Sequence, residues 1–254
     1  MLNDRDFMRY SRQLLLEEFG LEAQQMLSQS RVLVVGLGGL GSPAALYLAA
    51  AGVGTLWLAD DDALHISNLQ RQILFRDADA GANKAARAQQ HLQALNPRIR
   101  CHTLVQHMDS TALHHHVPAV DLVLDCSDNM QTRHAINAAC VIHATPLISA
   151  SAVGFGGQLM VLTPPYHHGC FRCLWPEDNE PERNCRTAGI LGPVVGVMGT
   201  LQALEAIRLL TGQRSPLDGK LRLFDGRQQA WRTLTLARTP ACPVCGGADA
   251  HHRK

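Results

Sequence analysis

Short apolar runs recur along this chain, with longer stretches of mixed character between them. Val32-Leu33-Val34-Val35, residues 55–59, 101–106 and 121–125 are apolar enough to be buried strands, and Pro146-Leu147-Ile148-Ser149 reads as a fifth. Between them, residues 43–51, 83–95 and 128–143 carry helical spacing. Such alternation predicts an α/β, Rossmann-like fold: a mostly parallel sheet with helices on both faces. Ahead of the first strand, residues 4–28 read as helical, with Phe7, Leu14, Leu15, Phe19, Leu21 and Leu27 among charged positions and Gly20 as the interruption.

The pattern changes after about residue 150. Gly154-Phe155-Gly156-Gly157 leads into the apolar run 158–162, which Pro164-Pro165 ends. That glycine segment fits a backbone surface for an extended peptide, and equally a turn around a buried Phe. Residues 176–193 are polar, rich in Pro and Gly and without a period, so they read as a mobile loop or crossover. An amphipathic helix over about 197–210 follows, with Ala203, Leu204, Ile207 and Leu210 on one stripe suited to core or dimer packing. Strands at 221–224 and 231–236 close the chain. One domain with a C-terminal β elaboration is expected, without repeats or linkers.

Composition adds little. The chain has 254 residues, 46% hydrophobic and 18% charged, enough for a sizeable core. A formal net charge of +1 argues against a nucleic-acid or membrane-surface partner. No apolar run approaches the roughly 20 residues that span a bilayer, and the charged segment Met1-Leu2-Asn3-Asp4-Arg5-Asp6 holds no signal core. A cytoplasmic location is therefore expected. In that setting eight cysteines read as metal ligands or catalytic groups before disulfides.

The candidate chemistry begins at Gly36-Leu37-Gly38-Gly39-Leu40-Gly41, between the first strand and Ser42-Pro43-Ala44. Here a strand ends, glycines turn the chain, and a helix begins with Ser42 as the expected N-cap. Gly36, Gly38, Gly39 and Gly41 let the backbone approach a phosphate at a helix N-terminus. Asp60-Asp61-Asp62 ends the next strand, about where the Rossmann pattern places a ribose-binding carboxylate. Asn68, Arg71 and Gln72 follow in Ser67–Gln72, Lys84 opens the next helix, and Asp128-Asn129 follows the strand at 122–124. Arg and Lys suit a triphosphate, and an aspartate at a strand end suits Mg²⁺. An NAD-dependent oxidoreductase, the alternative raised by the glycine turn, does not need so many phosphate-binding groups.

The cysteines divide. Cys170-Phe171-Arg172-Cys173 and Cys242-Pro243-Val244-Cys245 form two CxxC pairs, the usual ligand set of a structural tetrahedral Zn²⁺. A redox CxxC is the rival. Cys101, Cys126 and Cys140 sit among apolar residues and read as small buried hydrophobes. Cys185 lies in the polar loop between Arg183 and Arg186, where neighbouring cations favour a thiolate. By composition it is either reactive or an exposed bystander. His114-His115-His116, His167-His168 and His251-His252 have no metal-ligand spacing and read as solvated loop or tail residues.

Arg9-Tyr10-Ser11-Arg12-Gln13, the glycine turn, the Asp60 run, Ser67–Gln72 and Asp128-Asn129 together resemble the ThiF/MoeB/HesA family. These are bacterial relatives of the adenylating part of ubiquitin-activating enzymes, and the resemblance covers about residues 4–247. It implies an adenylyltransferase in which the glycine turn lies against ATP phosphates and Asp60 takes the ribose. Asn68, Arg71 and Lys84 would contact phosphates, and Asp128 would organise Mg²⁺. Arg12 would reach the site of the other subunit of a homodimer. The expected substrate is a ubiquitin-like sulfur carrier ending in Gly-Gly: ThiS of thiazole biosynthesis, or else the molybdopterin carrier MoaD. A sulfur donor protein is a further expected partner, with Cys185 covalently linked to the carrier in sulfur handling. The resemblance also agrees with zinc on Cys170, Cys173, Cys242 and Cys245. It divides the single domain into a nucleotide-binding half over about 28–150 and a carrier-binding, zinc-bearing part over about 151–247.

Overall fold

The computed structural model describes residues 2–177, 179 and 185–246, without the side chains of Cys185 and Arg186. Two helices, α1 (Asp4–Leu14) and α2 (Gly20–Gln29), precede the sheet. Asn3 and Asp6 cap α1 reciprocally, and Arg98 pairs with Asp6 at 2.8 Å, tying α1 to the turn before the third strand. Then come β1 (Arg31–Val35), α3 (Gly41–Ala51), β2 (Thr55–Ala59), α4 (Lys84–Leu95), β3 (Arg100–Leu104), α5 (Ser110–His116), β4 (Leu122–Asp125), α6 (Met130–Ile142) and β5 (Leu147–Val153). The remaining elements are β6 (Gly156–Leu162), α7 (Phe171–Leu174), α8 (Cys185–Ala188), α9 (Gly192–Leu210), β7 (Lys220–Asp225) and β8 (Ala230–Thr235).

The eight strands among the described residues form one sheet in the order β3-β2-β1-β4-β5-β6-β7-β8. The first five are parallel, and β6 to β8 add an antiparallel meander. Both faces are covered, so β1 is apolar at successive positions rather than alternating. Val32 and Val34 meet α3, α4 and α9 on one face, while Leu33 and Val35 meet α5 and α6 on the other. The expected fold class holds, down to the C-terminal β elaboration.

Four local expectations are corrected. Ser42 is not a cap: α3 begins at Gly41, and buried Ser42 donates its hydroxyl to Leu37 O at 3.0 Å. His114, His115 and His116 are the last turn of α5 and not a loop. That helix is capped by Asp109 and anchored by buried Leu113, in seven residues too few to show a period. Phe155 is not buried: it is 39% exposed at the tip of the β5–β6 hairpin, with the Arg227 guanidinium 4.4 Å above its ring. α9 starts at Gly192 and runs 19 residues, long and apolar enough by length and composition to cross a membrane. It instead packs on α3, β5 and β6. Its buried face runs through Val195, Met198, Gly199, Gln202 and Ala206, leaving Leu204 46% exposed.

Candidate active site and metal centre

In the sheet, β1 lies between β2 and β4, so the chain leaves it toward one side and later returns on the other. Open α/β sheets form a crevice at the carboxyl ends of such strands. Here it is a cavity of about 790 Å³. The glycine turn forms its floor. Gly36 has φ +90°, and a Cβ there would lie 2.7 Å from Cys126 O; one on Gly41 would lie 1.9 Å from Gly36 O. The chain's own packing therefore demands glycine at both, and Gly41 sits behind the turn, outside the cavity lining. Gly38 differs. A Cβ there would meet only Gln72 Nε2, at 3.6 Å, and the residue faces the cavity. Its missing side chain leaves room for something other than protein.

Asp60 closes the turn from β2. Its Oδ2 accepts the Leu37 N–H at 2.8 Å and its Oδ1 the Asp62 N–H at 3.0 Å. Burial pushes its carboxyl above the usual range, against the opposing pull of Lys84 and these two N–H groups. Lys84 is buried at the start of α4, with Nζ 2.8 Å from Asp62 Oδ2. Asn68 accepts the His65 N–H at 3.0 Å, and Arg71 donates to Ser67 O at 3.2 Å. Gln72 is buried, and its Oε1 has no hydrogen-bond partner. Asp128 and Asn129 line the opposite wall, where Asn129 caps α6 by accepting the Thr132 N–H at 2.8 Å. Gly36, Gly38, Gly39, Asp60, Asp62, Asn68, Arg71, Gln72, Lys84, Asp128 and Asn129 thus share one cavity. Arg12 does not: it is exposed on α1, away from the cavity of its own chain.

A buried network beneath Asp128 escaped the sequence reading. Asp125 accepts Ser127 Oγ and Ser149 Oγ at 2.6 Å each, and Arg133 Nη1 at 3.2 Å. Arg133 also donates to Ala150 O at 2.9 Å and to Ser127 O. Gln202 of α9 donates to Asp125 O at 2.8 Å and Ile148 O at 3.1 Å. Together these bonds clamp the 125–129 turn between β5 and α9. The available signal was an arginine on the α6 face shared by Ile136, Asn137 and Cys140. Met160, Phe171, Trp175 and Leu221 add apolar lining to the same cavity.

The four CxxC cysteines meet, with all sulfurs within 4.8 Å of one another. Cys170 lies 3.8 Å from Cys242, and Cys173 lies 3.4 Å from Cys245. A tetrahedral Zn²⁺ with bonds of about 2.3 Å needs sulfurs roughly 3.8 Å apart. The close approaches run between the two pairs, which suits a shared metal better than two separate redox motifs. Burial pushes the Cys173 thiol up. The N–H groups of Cys170 and Thr239 and the neighbouring thiols outweigh that, pulling it down to about 7. Cys101, Cys126 and Cys140 are buried, and burial raises each thiol's pKa, to about 11 for Cys101. They behave as the hydrophobes expected. Cys185 begins α8, but its side chain lies outside the described residues, as do 180–184 of the neighbouring loop.

Fold and cavity define an α/β protein with an open crevice at the carboxyl ends of its parallel strands and a four-cysteine cluster joining α7 to the segment after β8. The profile of the ThiF family matches residues 10–244, and the chain belongs to that family. It is 64% identical over 98% of its length, and 99% of the relative, to the sulfur carrier protein ThiS adenylyltransferase of Escherichia coli (strain K12). It is 42% identical over 96% of its length, and 98% of the relative, to the molybdopterin-synthase adenylyltransferase of the same organism. Among solved structures, E. coli MccB with ATP superposes with a TM-score of 0.81 at 26% identity, over 94% of this chain and 73% of that one.

Proposed function

We infer that this protein adenylates the C-terminal glycine carboxylate of the ubiquitin-like sulfur carrier ThiS, releasing pyrophosphate, ahead of thiocarboxylate formation for thiazole biosynthesis. The observation that carries this is the convergence of Gly38, Asp60, Asn68, Arg71, Lys84 and Asp128 on one cavity, in a chain that matches a ThiS adenylyltransferase end to end. The carrier's carboxylate oxygen attacks the α-phosphorus of ATP, and the bond to the β-phosphate breaks. The protein's work is positioning and charge neutralisation. Asp60, held by two N–H groups, takes the ribose; Gly38 lets the phosphates approach the backbone; Asn68, Arg71 and Lys84 bind them. Asp128 would hold Mg²⁺, which supplies further neutralisation of phosphate charge.

The nucleotide-binding half is taken as about 28–150 and the carrier-binding, zinc-bearing part as about 151–247. Four thiolates at these spacings fit Zn²⁺, which would pin the segment after β8 to α7. We take the protein to be a cytoplasmic homodimer in which Arg12 enters the partner's site, since it is exposed and does not line the cavity of its own chain. Cys185 is assigned to the sulfur step that follows adenylation, with a separate sulfur donor protein. The 42% identity to a molybdopterin-synthase adenylyltransferase makes MoaD the second candidate carrier. ATP–pyrophosphate exchange with purified ThiS and MoaD side by side tests the assignment. Exchange with ThiS is expected; exchange with MoaD alone transfers the substrate, and exchange with neither overturns the reaction.

A further inference from the structure

Asn137 stands one turn beyond Arg133 on the inward face of α6 and is fully buried. Both ends of its amide are engaged. Oδ1 accepts the Phe171 N–H at 2.9 Å, and Nδ2 donates to Cys170 Sγ at 3.5 Å. Chemistry fixes the orientation of the amide. A peptide N–H only donates, so the atom facing Phe171 is the oxygen, and the nitrogen must face the sulfur. Phe171 lies inside the first CxxC pair. One side chain from the nucleotide-binding half therefore grips both a sulfur of the four-cysteine cluster and the backbone of the turn presenting it.

We propose that Asn137 is a positioning residue for the metal centre, orienting Cys170 Sγ toward the ion and stabilising it as a ligand through the N–H···S bond. The proposal rests on the reading of the cluster as a zinc site. Groups that hydrogen-bond a metal's ligands tune its retention, and losing one typically costs about 10- to 100-fold in affinity. The placement also links two parts of the protein. Phe171 and Trp175, at the two ends of the same short turn, line the cavity. Arg133, one turn earlier on α6, holds the Asp128 turn through Ser127 O. A single helix thus sets the cluster and the reaction cavity in register.

The test uses the full-length, zinc-loaded protein. Zinc content is measured first. Release is then followed by absorbance after adding excess 4-(2-pyridylazo)resorcinol. Asn137→Leu removes both contacts while keeping the branching and heavy-atom count of the side chain, whereas Asn137→Asp keeps an acceptor for Phe171 and loses the donor to Cys170. Both are expected to release zinc on the order of ten times faster than wild type or more. Cys140→Ala is the control. Cys140 is also fully buried on α6 but is not one of the four clustered cysteines, and its variant should release zinc at close to the wild-type rate. Wild-type release from either Asn137 variant overturns the proposal. So does equally fast release from Cys140→Ala, which would mark general loosening of the helix. Wild-type protein purified without zinc overturns the metal reading itself, and the proposal with it.

Discussion

Asp125 and Asp128 lie three residues apart at the end of β4, yet the structure gives them different work. Asp125 is 1% exposed and holds a buried guanidinium, while Asp128 is exposed on the cavity wall. Asp128→Ala is expected to cut ATP–pyrophosphate exchange by about a hundredfold or more in a protein that still folds, as circular dichroism would show; full exchange would remove Asp128 from the reaction. Losing the Asp125 carboxylate would instead strip Arg133 of its buried partner, a cost of about 3–5 kcal/mol in stability. Cys185 separates chemistry from chemistry in the same way. Adenylation needs no thiol, so Cys185→Ser should retain exchange and lose thiocarboxylate formation, read by mass spectrometry of the carrier. Undiminished thiocarboxylate would refute the assignment. The visibility of these residues in the sequence follows from the range of their interactions. The glycine turn and Asp60 serve a local strand–turn–helix geometry, so their spacing marks them. Ser149, Gln202 and Asn137 act through contacts between distant segments, and Arg133 reaches both the nearby 125–127 turn and β5; no fixed spacing marks such residues, and the one trace of them is an arginine on an otherwise buried face of α6.

At the scale of elements, α9 and α3 cross closely enough that side chains get in the way. A Cβ on Gly199 would lie 2.2 Å from Leu40 O and 2.8 Å from Pro43 Cγ. Gly192 and Gly196 resemble loop residues in the sequence, and they hide the first turns of α9 ahead of the expected start at about 197. Gly199 is instead what allows the helix to seat behind the nucleotide turn. Gly199→Ala is therefore expected to destabilise by about 1–3 kcal/mol in urea denaturation. It should also raise KM for ATP, because the strain falls on Leu40 and the glycine turn. α1 offers a second case. Burial alone would raise the Asp6 carboxyl, but the Asn3 N–H and Arg98 outweigh it and hold it below its ordinary value of 3.8. A depressed carboxylate stabilises the fold above the unfolded-state value and loses that contribution as pH falls through the folded one. The stability gap between wild type and Asp6→Asn should be widest near neutral pH and close on acidification below 3.8. Urea midpoints across that range would measure it, and a constant gap would contradict the pairing.

At the scale of the whole molecule, one chain encloses most of a site but not all of the groups assigned to it. The cavity gathers residues from both of its walls, while Arg12 stays exposed on α1 outside it. Exposed apolar side chains accompany it on the N-terminal helices and the turn between them: Met8 at 80%, Leu15 at 74% and Leu21 at 45%. A surface of that kind suits burial against a second copy, and in an isologous pair built on it each Arg12 would face the partner subunit. Complementation distinguishes service in trans from service in cis. Arg12→Ala and Asp128→Ala homodimers are each expected to be inactive in exchange. Mixed and allowed to swap subunits, half of the dimers become heterodimers. If Arg12 serves the partner, each heterodimer regains one complete site, pairing the Asp128 of one subunit with the Arg12 of the other. Activity should then return to about a quarter of wild type for equal amounts and random exchange. If Arg12 instead acts within its own chain, every site in the mixture lacks one group and no activity returns. Subunit exchange is confirmed separately with differently tagged chains, so silence in a mixture shown to contain heterodimers counts against the shared site.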